Sequence, residues 1–295
     1  MFKPFELSRW RGRPGHLFVF ALGPLAWRFA SGDRPVVLSP GEPGEQVFHP
    51  APIERSPIKE TSQRAKNDVS ITMPCRLDPT SLELTGTAAG EALTSFTALW
   101  RPFPPSGVVT VTCLSYHEGD PDRQTQVEWL GRVAQPQFTD TVLTLTCQPS
   151  RSRAQFTGMG RRWQRGCDLA LYSKGPGLCN VDQALHVVPA TLSSVEDLLH
   201  VGAAAFASAP KPLAGGFVEW TRPSGVIERR SVMAHDGSMI ELNYGALDLT
   251  PGLEVNAYPG CPHNWAGCKS FDNTPNYGGE IYLPVKNLFN GNPVW

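Results

Sequence analysis

Hydrophobic and polar residues alternate with a period of two in short runs along most of the chain, the pattern of half-buried β-strands. Phe18, Phe20 and Leu22 alternate with their neighbours, Ala26 to Ala30 forms a second run, and Ser31-Gly32-Asp33 supplies the turn that follows. Val69, Ile71 and Met73 alternate with Asp68, Ser70 and Thr72 in a strand that stops at Pro74, because proline removes a ladder donor. Gly107 to Tyr116 contains Val-Val-Thr-Val-Thr-Cys, and Val-Leu-Thr-Leu-Thr-Cys follows Thr141 as far as Cys147. With residues 126–135 between them, these runs predict an antiparallel meander of β-branched residues.

A second meander is expected from Gly216 to Thr221, a Pro223-Ser224-Gly225 turn, Val226 to Ala234, a His235-Asp236-Gly237 turn, and Met239 to Leu242. Ser193 and Glu196 have capping-box spacing, and Val195, Leu198 and Leu199 could line a helix. The stretch reads better as strand, turn at Glu196-Asp197 and strand, since Gly202 and the Ala-rich residues after it give no helical stripe. Arg9, Arg11 and Arg13 precede an apolar run from Leu17 to Trp27 that has the outline of a secretory signal. The run is too short to span a bilayer, contains Gly23-Pro24, and has Trp27-Arg28 where a small-residue cleavage site belongs. A first β-hairpin fits better, and the chain is expected to be soluble.

The 295 residues leave room for two domains. Gly and Pro number 28 each and charged residues make up 18%, below the roughly 25% usual for soluble domains, so long helices are not expected. Against 27 acidic residues stand 26 basic ones, which removes any electrostatic case for wrapping nucleic acid or inserting into a membrane surface. Residues 148–166 carry Arg151, Arg153, Arg161, Arg162 and Arg165 with few aliphatics. This stretch reads as a solvated connection or a docking surface for a partner, and it sets the boundary between domains at 1–150 and 151–295. The expected fold class is mainly β, with two domains of antiparallel sheet or barrel type.

Seven cysteines carry the chemistry. Cys75, Cys113 and Cys147 lie in or at the end of predicted strands, where a free cysteine behaves as a small buried hydrophobe. Cys167, Cys179, Cys261 and Cys268 lie instead in Gly/Pro-rich loops: Gly166-Cys167, Gly175-Pro176-Gly177-Leu178-Cys179, Pro259-Gly260-Cys261-Pro262-His263 and Gly267-Cys268. Four thiolates converging from two such turns suit a tetrahedral zinc ion or the corners of an iron-sulfur cube. Buried or surface cysteines without metal are the alternative, since the spacing is less diagnostic than a CxxC pair. His235, beside Asp236, could serve Cys167 or Cys179 as the base of a Cys-His hydrolase. His16, His49, His117, His186 and His200 are scattered, and no phosphate-binding, dinucleotide or serine-nucleophile motif is present.

Tyr258-Pro259-Gly260-Cys261, then Cys268 with Phe271, Asn273, Asn276-Tyr277-Gly278-Gly279 and Leu283-Pro284, resembles the ending of phage tail-tip hub proteins. That family includes the minor tail protein L of lambda-like phages and the hub of gene transfer agents. The resemblance extends to Gln164-Arg165-Gly166-Cys167, Ala170-Leu171-Tyr172 and Gly177-Leu178-Cys179. It also reaches a stretch from Pro50 to Ser62, where Ala51-Pro52-Ile53-Glu54-Arg55 leads to Lys66-Asn67 and the strand ending at Pro74. It implies that Cys167, Cys179, Cys261 and Cys268 are ligands of a structural [4Fe-4S] cluster that staples the C-terminal domain. His263 and Trp265 depart from the family pattern, and His263 could replace a cysteine in a zinc site, so a zinc-stapled binding module stays open.

The resemblance further implies a non-enzymatic virion protein at the tail tip, made in the bacterial host cytoplasm and assembled as a ring, usually trimeric. The N-terminal domain would meet the distal tail protein, and the C-terminal domain the central spike or fibre protein, with the tape measure protein as a further neighbour. Asn287-Leu288-Phe289 to Trp295 carries aromatics that read as a docking tail or as a cover for the core.

Overall fold

The computed structural model describes residues 2–8, 12–41, 43–59, 67–75, 87–150 and 163–284. The chain divides into two compact units, Met1–Phe156 with Arg222–Glu228 and Thr157–Thr221 with Arg229–Trp295.

In the first unit, β1 (Pro14–Leu22), β2 (Leu25–Ser31), β3 (Val36–Leu38), β4 (Gln46–Ala51), β5 (Glu54–Arg55), β6 (Val69–Pro74), β7 (Thr110–His117), β8 (Thr125–Thr139) and β9 (Val142–Pro149) form one nine-stranded sheet. Its order is β3-β4-β2-β1-β7-β8-β9-β6-β5. The apolar run from Leu17 is the β1–β2 hairpin, in register from Leu17 opposite Ala30 to Leu22 opposite Leu25. Along β6, β7 and β9 buried residues alternate with half-buried ones, as the two-residue repeat requires when one face lies on a core. Cys113 and Cys147 are fully buried in that core beside Val69, Ile71, Val111, Leu143 and Leu145. Burial pushes the Cys113 thiol up to about 12, so both sulfurs act as hydrophobes.

Two features depart from the expected antiparallel meander. β2 pairs with β4 in parallel, Phe29 opposite His49 and Ser31 opposite Ala51, which builds a second apolar cluster of Leu17, Ala30 and Phe48. Helix α1 (Phe2–Glu6) is a single short turn, whereas α2 (Ala88–Thr97) was not foreseen. Thr87 caps α2 by accepting the Gly90 amide at 3.2 Å, and the helix buries Leu93 and Phe96. Phe96 stacks among Phe20, Trp27, Phe29 and Trp100, with ring centroids 4.4 to 5.7 Å away. Bulges in β8 opposite Cys113/Leu114 and at Val133/Gln135 bend the long strand.

In the second unit, β10 (Val188–Thr191), β11 (Ser194–Glu196), β12 (His200–Gly202), β13 (Phe217–Thr221), β14 (Ile227–Asp236), β15 (Met239–Leu242) and β16 (Glu254–Tyr258) form a seven-stranded sheet. The order is β10-β16-β13-β14-β15-β12-β11. Ser194–Glu196 and His200–Gly202 are strands, the strand-turn-strand that the sequence favours, with the turn shifted to residues 197–199, where Asp197 and Leu198 have positive φ. β14 runs on to Asp236, so the turn expected at 235–237 falls at Gly237 and Ser238 instead. Val201, Val218, Trp220, Val232, Ile240, Val255 and Ala257 pack with Phe206 of α3 (Ala204–Ala207) and Leu213 into the core. Helix α4 (Trp265–Ser270) follows β16. No helix among the described residues is long and apolar enough to cross a membrane. Arg9, Arg11, Ser62, Lys66, Arg151, Arg153, Arg161, Arg162 and the segment from Asn287 to Trp295 lie outside the described residues.

Candidate metal centre

Cys167 and Cys179 lie on an irregular segment before β10, and Cys261 and Cys268 follow β16. Hydrogen bonds within the second unit draw the two segments together. The Cys167 amide donates to the His263 carbonyl at 2.7 Å, the Glu280 amide to the Gln164 carbonyl at 2.8 Å, and the Tyr172 hydroxyl to the Pro259 carbonyl at 3.0 Å. The Tyr277 hydroxyl donates to the Arg165 carbonyl.

Local sequence shapes each ligand-bearing turn. Asn180, at φ 62°, accepts the Gly175 amide at 2.8 Å and donates to the Gly175 and Leu178 carbonyls, closing the loop that ends in Cys179. Ser173 Oγ accepts the Cys179 amide at 3.2 Å. Pro259-Gly260-Cys261 runs so close to residues 214–216 that a Cβ on Gly260 would overlap the Ala214 carbonyl, and one on Gly216 the Tyr258 carbonyl. Glycine is the residue that allows such an approach. Asn264 caps α4 by accepting the Gly267 amide at 2.7 Å, which fixes the helix that carries Cys268.

The four sulfurs sit in one electrostatic neighbourhood. Burial raises the Cys261 thiol, the His263 amide opposes that rise, and Cys167 and Cys179 add to it. Burial together with Cys167, Cys179 and Cys261 pushes Cys268 to about 11. Tyr172 is raised by burial and then by Cys261 and Cys179. The raised values keep Cys261 and Cys268 as thiols, and four thiolates in this space would repel one another unless a bound cation offset their charge. Three sulfurs already face an N–H donor: Cys167 from the Gly278 amide at 3.3 Å, Cys261 from the His263 amide at 3.4 Å, and Cys179 from Asn273 Nδ2 at 3.5 Å. Leu169, Val181 and Phe271 are buried beside Cys179, with Cys167 and Cys261 packed against them. The donor set, all sulfur, held by amides and partly dry, fits a thiophilic metal group. Among the described residues no three His, Cys, Asp or Glu side chains are gathered as the ligands of one metal ion.

The other sequence candidates fall elsewhere. Cys75 is half-buried, its thiol 3.7 Å from the Asp140 carbonyl. His263 is exposed and enters the centre through its backbone. His235 belongs to β14, where Nδ1 accepts the Leu213 amide at 3.3 Å and Nε2 donates to the Gly237 carbonyl at 3.0 Å. Both ring nitrogens of His235 are thus committed to backbone, which takes His235 out of the role of base for Cys167 or Cys179. Asn273 is the participant whose role the sequence left unassigned. It stands in a recognisable Asn-rich motif, but only the fold sets it between Cys179 and Cys268.

Residues 212–287 match the model of a family described as phage conserved hypothetical protein BR0599. The matched stretch contains Cys261, Cys268 and Asn273, and it marks this part of the chain as phage-related. An uncharacterized protein of Xylella fastidiosa (strain 9a5c) is 38% identical over 228 residues, covering 75% of this chain. The match takes in 45% of that protein, so the chain spans less than half of its relative's length. A chain in the virion of a native gene transfer agent particle superposes with a TM-score of 0.71, over 99% of this chain and 95% of that one, at 16% identity. That likeness is one of fold. Together the findings support a phage-related protein that shares its fold with a virion chain.

Proposed function

We propose that this protein is a non-enzymatic subunit of a phage-type tail tip, a hub whose C-terminal unit is closed by a [4Fe-4S] cluster on Cys167, Cys179, Cys261 and Cys268. The observation that supports this reading is that hydrogen bonds tie the two distant cysteine-bearing segments together, with the four loop thiols in one electrostatic neighbourhood and three of them facing N–H donors. The shared fold with a gene transfer agent virion chain and the phage family match support the particle assignment. When bound, the cluster supplies thiolate–metal bonds that cross-link the segments before β10 and after β16. Ring assembly, usually as a trimer, and contact with the distal tail, central fibre and tape measure proteins belong to the same reading.

Anaerobic purification with iron, sulfide and zinc analysis tests it. Iron and sulfide in equal amounts with a broad absorption near ~400 nm, lost when the four cysteines become serine, is the expected result. Zinc alone would replace the cluster by a zinc staple, and no metal would remove the centre from the proposal. Cross-linking of assembled particles tests the position, and a site away from the tail tip would overturn it.

A further inference from the structure

Asn273 is buried between α4 and the turn at Thr274–Asn276, and each of its polar groups is engaged. Its amide donates to the Cys268 carbonyl at 3.1 Å. Its carbonyl accepts the Asn276 amide at 3.0 Å and faces the Cys268 thiol at 3.1 Å. In the side chain, Nδ2 donates to the Cys179 carbonyl and, at 3.5 Å, to Cys179 Sγ. Oδ1 accepts Asn276 Nδ2 at 2.7 Å. That last bond fixes which end of the amide is which, because a flipped Asn273 would set its oxygen against both the carbonyl and the sulfur of Cys179.

We propose that Asn273 is a positioning residue of the four-cysteine centre: it yokes Cys268 to Cys179, which lies 94 residues before Asn273 in the chain, and directs an N–H at the Cys179 sulfur. The inference rests on the cluster reading above and assigns Asn273 a part in it. An N–H aimed at a metal-bound thiolate stabilises the added negative charge of the reduced group, so its removal lowers the reduction potential. Asn276 acts one step further out, by holding the amide in its donating orientation.

The test uses the full-length protein reconstituted anaerobically with ferrous iron and sulfide. Asn273→Asp keeps the shape of the side chain but sets a carboxylate oxygen where the donor stood. The expected result is a more negative midpoint potential, and release of iron to a chelator about tenfold faster than in wild type, the effect of losing one charge-assisted hydrogen bond. A purely structural role would lower the melting temperature without moving the potential. If Asn273→Asp does not fold, Asn276→Ala decides: a shift in the same direction, of a few-fold in iron release, supports the proposal, and none overturns it. Wild type that takes up no iron and sulfide sinks the cluster reading itself. Wild type that loads, with Asn273→Asp loading equally at an unchanged potential, overturns the role of Asn273 alone.

Discussion

Two glycines stand beside cysteines of the candidate centre in the second unit, and the packing around them predicts opposite responses to one added methyl group. A Cβ on Gly260 would overlap the Ala214 carbonyl oxygen and lie 2.5 Å from the Gly215 carbonyl carbon and 2.6 Å from the Gly216 nitrogen. All of these are backbone atoms, so no rotamer relieves the clash; the chains must part, straining the Gly260 amide bond to the Pro212 carbonyl. Overpacking of this kind costs about 3 kcal/mol, the upper part of the usual range, and lowers the melting temperature of this unit by about 10 °C. Cys261 is the next residue, so the parting also moves a ligand. At Gly166, by contrast, a Cβ meets only the His263 carbonyl oxygen at an ordinary 3.5 Å. Gly166→Ala is expected to stay within about 0.5 kcal/mol of wild type. The assay is thermal melting by circular dichroism together with iron content after anaerobic reconstitution. Gly260→Ala melting and loading like wild type, or Gly166→Ala failing as badly, would refute the reasoning.

Phe96→Ala removes the centre of the aromatic cluster in the first unit and should cost about 4 kcal/mol; denaturant unfolding checks it, and iron content per folded chain should not change. Cys113, pushed up to about 12 by burial, stays protonated in the fold while its unfolded value is near 9.0. Its contribution is fully present below pH 9 and is lost as pH rises towards 12, so Cys113→Ala should flatten the alkaline limb of a stability–pH curve. Cys268 faces a carbonyl instead of an N–H donor, so controlled oxidation should vacate that corner first; a three-iron paramagnetic signal from wild type, reproduced by Cys268→Ser but not Cys179→Ser, is the expected outcome. Removal of metal should raise amide hydrogen exchange at Cys167, Cys179, Cys268 and Gly278 at least tenfold while Val218 and Val255 stay protected, and a uniform rise would contradict it.

Alternation made the strands legible wherever one face lies on a core. β6, β7 and β9 declare themselves because Val69, Ile71, Met73, Val111, Cys113, Leu143, Leu145 and Cys147 face inward while Ser70, Thr72, Thr112, Thr144 and Thr146 lie on the less buried face. Helix α2 stayed hidden since Ala-Ala-Gly-Glu-Ala-Leu-Thr-Ser-Phe-Thr offers few large apolar residues at helical spacing, and Leu93 and Phe96 gain their meaning only against the sheet. The parallel β2–β4 pairing is equally silent, because β4 reaches β2 through register and not through a local turn. At the candidate centre, flanking Gly and Pro singled out four of the seven cysteines, and in the fold their thiols lie near enough to act on one another electrostatically. The amides that face their sulfurs lie on residues with no chemical signature of their own, Gly278 and His263, whose contribution is backbone.

A metal group bound at the proposed centre would belong to its folding and not only to its chemistry. The segments 163–181 and 259–284 contain no strand, and the buried apolar residues around the cysteines, Leu169, Val181 and Phe271, form a cluster far smaller than the sheet core of the same unit. Two irregular segments tied by scattered hydrogen bonds regain little of the entropy lost on ordering them. A cross-link that closes a loop of about 100 residues, as one from Cys167 to Cys268 does, constrains the unfolded chain by about 4 to 5 kcal/mol on the scale known for disulfides. Supplied through four sulfurs, that constraint acts on both segments at once. Binding of a metal group there and ordering of these loops would then be one equilibrium. Under the proposed function a particle protein that must persist under strain would gain from this coupling, because the loops could not loosen without breaking metal–sulfur bonds, whereas the sheet of the same unit stands on its own core.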